Sequence, residues 1–142
     1  TLGISPTRAD TGYGYINFQK DGATNVHKVE RFMEKPVLEK AMEYVASGDY
    51  LWNAGIFIWR AESIQNAFKQ HATQIHELFI QGNDVYNTSL EEAFIAENYP
   101  KSPNISIDYA ILEKATNVYT ILFLHHRKYA ECQLNIAKHV NC

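Results

Sequence analysis

The chain has little cysteine, no long apolar run and no cluster of charge of one sign. Two of its 142 residues are cysteine, Cys132 and Cys142, both near the C-terminus. A pair so spaced makes neither a zinc site nor a disulfide framework, and it suits a reducing, cytoplasmic setting. No apolar stretch approaches the roughly 18 residues needed to span a bilayer, so no membrane contact is expected. The opening Thr1-Leu2-Gly3-Ile4-Ser5-Pro6 lacks the basic and then apolar regions of a secretory signal. It also lacks an initiating Met and already reads as strand, so the natural start is expected upstream. The formal net charge is -3, with both signs interspersed. Nucleic acid is therefore not an expected partner, since its phosphates call for clustered Lys and Arg. One small phosphorylated ligand is still allowed, because one or two local cations can hold it. His71 and His76 do not share a helix face, and His125 and His126 are adjacent, so no metal site is expected from them.

What is present is the composition of a globular domain: 46% hydrophobic and 20% charged residues, in a length that supports one core. Leu2 to Ile4 reads as a short strand stopped by Pro6. Gly12 to Phe18 alternates aromatic or aliphatic residues with small or polar ones, a strand pattern. Asp21-Gly22 signals a turn, and Val26 to Met33 resumes strand character with imperfect alternation. Pro36 fits the first turn of a helix. Leu38, Ala41, Met42 and Val45 form its apolar stripe, and Gly48 stands where a left-handed C-terminal residue belongs. Gly55 to Trp59 is a continuous apolar run expected to be a buried strand. Glu62 to Gln81 reads as helix, broken near Ala72-Thr73. Thr88-Ser89-Leu90-Glu91-Glu92 holds two overlapping capping boxes. Ser106 caps a short helix through Glu113, and Asn117 to Leu124 is a last strand. The fold class is α/β, mixed, in one domain.

Four segments, taken in order, resemble the sugar-phosphate half of mannose-1-phosphate guanylyltransferases. They are Pro6-Thr7 with Thr11 to Ile16, the VERFMEKP of Val29 to Pro36, the YLWNAGIFIW of Tyr50 to Trp59, and the SIDYAILEK of Ser106 to Lys114. The resemblance implies part of a Rossmann-like nucleotidyltransferase (sugar-nucleotide pyrophosphorylase) domain, with a mixed sheet and flanking helices. Residues 1–124 would be its sugar-phosphate-binding half and residues 125–142 a divergent tail. The reaction implied joins GTP and mannose 1-phosphate into GDP-mannose and pyrophosphate, with Mg2+ as cofactor.

The site residues implied are Gly12, Gly14, Glu34, Lys35, Asn53, Gly55 and Asp108. Gly12 and Gly14 lack side chains, so a sugar can approach the backbone closely; the alternative is a bulge in an edge strand. A carboxylate can accept a hydrogen bond from each of two vicinal hydroxyls, the role for Glu34. Lys35 would make a charge-assisted contact with phosphate; the alternative for both is a solvated charge pair. Asn53 both donates and accepts, as a hydroxyl does; the alternative is a left-handed turn residue. Gly55 would keep the pocket floor low. Asp108 is either an acid near the sugar or one helped by a helix macrodipole. Trp52 and Trp59 are expected in the core.

The family's Gly-rich nucleotide loop has no counterpart here, and neither do its magnesium carboxylates. Where a Trp-Ser-Asp-Leu-Gly stretch would follow the last strand, the chain reads Leu124-His125-His126-Arg127-Lys128-Tyr129. Negligible turnover is therefore expected of this chain alone, since such transfers depend on metal and cationic neutralisation of phosphate oxygens. A sheet missing central strands would have unpaired edges, favouring a homodimer or aggregation. Two other readings stand beside this one. One is a pyrophosphorylase for another sugar 1-phosphate. The other is a non-catalytic sugar-phosphate-binding or interaction module.

Overall fold

Short segments rich in aromatic and β-branched residues form five strands: β1 Leu2–Ile4, β2 Tyr15–Phe18, β3 Val26–Met33, β4 Tyr50–Asn53 and β5 Tyr119–Phe123. The computed structural model describes residues 1–20 and 24–123. The Asp21-Gly22 turn and the 125–142 tail, with His125, His126 and both cysteines, lie outside the described residues. Packing divides the described residues into two compact units, one of residues 1–60 with 115–123 and one of residues 61–114.

In the first unit the strands run in the order β1-β4-β2-β3-β5, and β5 returns to β1 to close the ring. The sheet is mixed: β1 and β5 are parallel, and the other neighbours are antiparallel. Each described strand thus has two neighbours, which overturns the expectation of unpaired edges. The reason is β5, which lies between β1 and β3 and satisfies both. The edge argument for a homodimer goes with it.

The ring's inner face carries Ile16, Phe18, Leu51, Val29, Phe32, His27 and Thr120, all buried. Fully burying a side chain such as Ile16 contributes about 1.5–3 kcal/mol. A β-bulge explains the imperfect alternation of β3: Asn17 pairs with Arg31, but Phe18 pairs with Val29. One residue of β3, Glu30, is thereby skipped, and the inward set passes from His27 and Val29 to Phe32.

The outer face of β2 and β4 packs on α1, Leu38–Ser47. Tyr15, Ala41 and Trp52 form the centre of this second cluster, with Ile4, Met33, Tyr44 and Val45 against it. The apolar stripe expected on α1 is only half right. Ala41 is fully buried, whereas Leu38 and Met42 are exposed, because Tyr44 rather than Met42 meets the sheet through Tyr15 and Tyr50. Pro36 stands one residue before the N-cap Val37, not in the first turn. Gly48 does end the helix, with φ 71°.

Two strand expectations need correction. The glycine-rich residues 11–14 form a turn, and β2 begins at Tyr15. The buried strand lies at Tyr50–Asn53, not at Gly55 to Trp59. Gly55 takes φ 70°, which turns the chain out of the ladder and leaves Ile56, Ile58 and Trp59 exposed. Trp52 is buried as expected; Trp59 stacks on Phe57 instead, with ring centroids 5.2 Å apart.

The second unit is helical. Helices α2, Ala61–His71, and α3, Thr73–Ile80, are separated at Ala72, whose φ -138° and ψ 52° are not helical. Helix α4, Glu91–Asn98, begins near the expected capping boxes. Its cap is displaced, however: the Asn87 N–H donates to the Glu91 carboxylate at 2.6 Å, and the Leu90 N–H to the Thr88 hydroxyl at 3.2 Å. A π-helical turn at Asp108–Leu112 buries Ala110, Ile111 and Leu112.

Candidate functional site

At one end of the ring, the last residue of β4, the residue before β2 and the residue after β3 bring Asn53, Gly14 and Glu34 into a row. The Asn53 N–H donates to the Gly14 carbonyl at 2.8 Å. On the other side of Gly14, β3 ends at Met33 opposite Tyr15, and Glu34 follows. A Cβ placed on Gly14 would lie 2.5 Å from Glu34 Oε2 and 3.3 Å from the Phe32 ring. The Glu34 carboxylate therefore occupies the space that a side chain at position 14 would fill. Its side chain is only 10% exposed, which rules out a solvated charge pair for Glu34. Lys35 Nζ stands 3.5 Å from Glu34 Oε1, and its own side chain is 60% exposed.

Lys35 has φ 45°, a left-handed backbone that a side chain disfavours by about 1–2 kcal/mol. Such strain concentrates where surrounding contacts dictate a position. We expect Lys35→Gly to be more stable than Lys35→Ala by about 1 kcal/mol in urea unfolding, although both lose the ammonium. Equal midpoints would show that residue 35 is unstrained.

The Asn53 side chain is oriented by its neighbours: its Oδ1 accepts from the Thr1 hydroxyl at 3.0 Å and from the Gly55 N–H at 3.2 Å. It closes β4 and is not in the left-handed region, but its bond to the Gly55 N–H two residues on is the local turn contact an Asn makes. Gly55 is required by its backbone conformation as well. Nothing lies within 4 Å of an added Cβ, and its positive φ is what requires glycine. For Gly12, an added Cβ would meet Asp10 Oδ1 at 3.2 Å. Asp108 opens the π-helical turn of the second unit, so it is placed apart from the other six in sequence and packing unit.

Arg8 and Asp10, in the segment before β2, and the hydroxyl of Tyr15, at the start of β2, have no role in the sequence analysis. Asp10 Oδ1 accepts from the Gly12 N–H at 2.9 Å, and Oδ2 accepts from Arg8 Nε and Nη2 at 3.0 and 2.6 Å. The Gly12 N–H first, and the Arg8 guanidinium after it, hold the Asp10 carboxyl below its ordinary range. The Arg8 guanidinium carbon lies 5.3 Å from the Trp52 ring centre. An Asp two residues before a Gly is a readable turn signal. The buried hydroxyl of Tyr15 carries no such mark.

Residues 1–97 match the family described as Nucleotidyl transferase. The chain belongs to the nucleotidyl transferase family. The match includes every residue of the row at the end of the ring. This nucleotidyltransferase chain is 39% identical over 124 residues to a mannose-1-phosphate guanylyltransferase of Sinorhizobium fredii, covering 85% of the chain and 24% of that protein. It is 34% identical over 131 residues to the mannose-1-phosphate guanylyltransferase of Escherichia coli K12, covering 85% of the chain and 26% of that protein. The chain thus spans about a quarter of the length of these relatives. Among solved structures, it is similar to the Thermus thermophilus protein described as mannose-1-phosphate geranyltransferase. That likeness has a TM-score of 0.70 and 36% identity, and covers 85% of this chain and 33% of that one. A Helicobacter pylori protein described as mannose-6-phosphate isomerase shares the fold at TM-score 0.68 and 24% identity, over 86% of this chain and 48% of that one.

Proposed function

We propose that this chain is the sugar-phosphate-binding half of a mannose-1-phosphate guanylyltransferase, which forms GDP-mannose and pyrophosphate from GTP and mannose 1-phosphate. The observation that carries this reading is the Glu34 carboxylate folded over Gly14, with Asn53 on the other side and Lys35 Nζ 3.5 Å from it. A carboxylate accepts from two vicinal hydroxyls, and an amide completes the polar set a pyranose needs. The Lys35 ammonium is the cation for the phosphate. Gly12 and Gly55 shape the backbone around this row. Asp108 lies in the second unit and is given no part in this row. The names of the relatives favour mannose over other sugars.

In the whole protein the sugar phosphate attacks the α-phosphate of bound GTP in line and expels pyrophosphate, in a cytoplasmic setting. Such transfers use a divalent metal to neutralise developing charge, and Mg2+ is the ion proposed. Among the described residues no three His, Cys, Asp or Glu side chains gather to hold one. The residues described here do not fit the ion, and none of them is assigned to it. Their part is to bind and orient the sugar phosphate.

The test is a titration of the 142-residue chain with mannose 1-phosphate, observed by ligand NMR, with Glu34→Gln alongside. Saturable binding that weakens about tenfold or more in the variant, the scale of a lost charge-assisted hydrogen bond, is expected. Magnesium-dependent pyrophosphate release from GTP and mannose 1-phosphate is expected to be negligible for this chain. No binding by a demonstrably folded chain would sink the sugar-phosphate reading.

A further inference from the structure

Gly14 can meet Glu34 and Asn53 only if the turn leading into β2 is held still. We propose that Asp10 and Tyr15 are positioning residues that hold this turn, so that the Asn53–Gly14–Glu34 row is formed before a sugar phosphate arrives. The proposal rests on the sugar-phosphate reading and extends it to residues that the ligand does not touch.

The geometry is a closed set of hydrogen bonds around one carboxylate and one phenol. The Asp10 N–H donates to the Tyr15 hydroxyl at 2.9 Å, and the same hydroxyl donates to the Asp10 carbonyl at 3.0 Å. One tyrosine thus satisfies both backbone groups of Asp10. The Asp10 side chain in turn takes the Gly12 N–H at 2.9 Å. Residues 10, 12 and 15 are thereby tied to one another across the turn that contains both glycines.

The anchor is rigid. Tyr15 is 0% exposed and packs in one cluster with Ala41 and Trp52. Its backbone is fixed from both sides, opposite Met33 in β3 and Trp52 in β4. The outer side of the turn is fixed on the same tryptophan, with Arg8 5.3 Å and Tyr13 5.0 Å from the Trp52 ring centre.

The turn needs such an anchor because of its composition. Thr11-Gly12-Tyr13-Gly14 contains two glycines, which lose more conformational freedom on ordering than other residues do. Left loose, that segment would be ordered by the ligand, and binding would weaken by the cost of ordering it. The clamp places that cost in folding instead. What it delivers is the Gly14 carbonyl that accepts the Asn53 N–H at 2.8 Å.

The experiment follows two readouts on the same 15N-labelled chain: affinity for mannose 1-phosphate, and amide hydrogen exchange at Asn53, Gly12 and Ile16. Asp10→Ala and Tyr15→Phe are each expected to weaken binding about tenfold, the upper end for one lost hydrogen bond. Both should speed exchange at Asn53 and Gly12 by a similar factor, and leave Ile16, inside the ring, unchanged. Asp10→Asn keeps an oxygen for the Gly12 N–H and gives up the ion pair with Arg8, so it is expected to restore both readouts to near the unsubstituted values. An Asp10→Asn chain as impaired as Asp10→Ala overturns the proposal. Weaker binding with unchanged exchange at Asn53 overturns it too, because Asp10 would then be acting on the ligand directly. If the folded, unsubstituted chain binds no mannose 1-phosphate, the sugar-phosphate reading fails by itself, and exchange at Asn53 alone decides the positioning claim.

Discussion

A Gly14→Ala chain should keep most of its stability and lose most of its affinity for mannose 1-phosphate. The added methyl would stand 2.5 Å from Glu34 Oε2, and a carboxylate at the end of a rotatable side chain can swing away. The Phe32 ring, 3.3 Å away, needs to give only a few tenths of an ångström. Relocating Glu34 therefore costs the fold less than about 1 kcal/mol, the lower end for an overpacked site. Binding is another matter. On the proposed reading the carboxylate would leave the place from which it accepts two hydroxyls, and a loss of about a hundredfold or more is expected from two hydrogen bonds to a charged group. Urea unfolding and an NMR titration on the same sample separate the two effects. An alanine variant that binds normally would show that the glycine serves packing and that Glu34 is not set against it for recognition.

Gly3→Ala should do the opposite. Its added methyl would lie 2.5 Å from Leu51 Cδ1, 2.8 Å from Thr120 Oγ1 and 3.0 Å from Leu51 Cβ. Leu51 is 3% exposed and Thr120 is 0% exposed, so neither has anywhere to go. Three strands meet at this point, since Gly3 pairs with Asn53 of β4 and Leu122 of β5. A destabilisation of about 1–3 kcal/mol is expected. The cause can be isolated by a double-mutant cycle with Leu51→Ala. Leu51→Ala alone costs about 2–5 kcal/mol through its cavity. If the clash is real, the pair together should cost less than the sum by about 1 kcal/mol or more. Strict additivity would mean that the ring adjusts at Gly3 without pressing on Leu51.

The contrast between these two glycines shows what the sequence could and could not disclose. Both were visible as small residues near strands. Their neighbours were not, because Gly14 meets a residue 20 positions later and Gly3 meets residues from β4 and β5. Local signals served well where a local cause decides. Gly48 at the end of α1, the break at Ala72 and the strand at Leu2–Ile4 all lie where periodicity and turn chemistry put them. Apolar runs misled where tertiary pairing decides. Gly55 to Trp59 reads as more strand-like than Tyr50 to Asn53, yet only the latter finds partners on both sides, in β1 and β2. The Glu34-Lys35-Pro36 element was legible through its resemblance. The Asp10–Tyr15 clamp was not, because Tyr15 looked like one more apolar residue in an alternating strand.

The skipped residue in β3 has one more effect, on which end group the sheet shows to its interior. Side chains along a strand obey an even–odd count, and that count is reset once, at Glu30. Ahead of the reset the odd-numbered His27 and Val29 point inward; beyond it the even-numbered Phe32 does. Glu34 inherits the new parity and comes to rest over Gly14. Without the reset, Met33 rather than Glu34 would come opposite Gly14, and an apolar side chain would stand where the carboxylate now does. A single uncounted residue, well away from the row itself, thus decides that a carboxylate stands over Gly14.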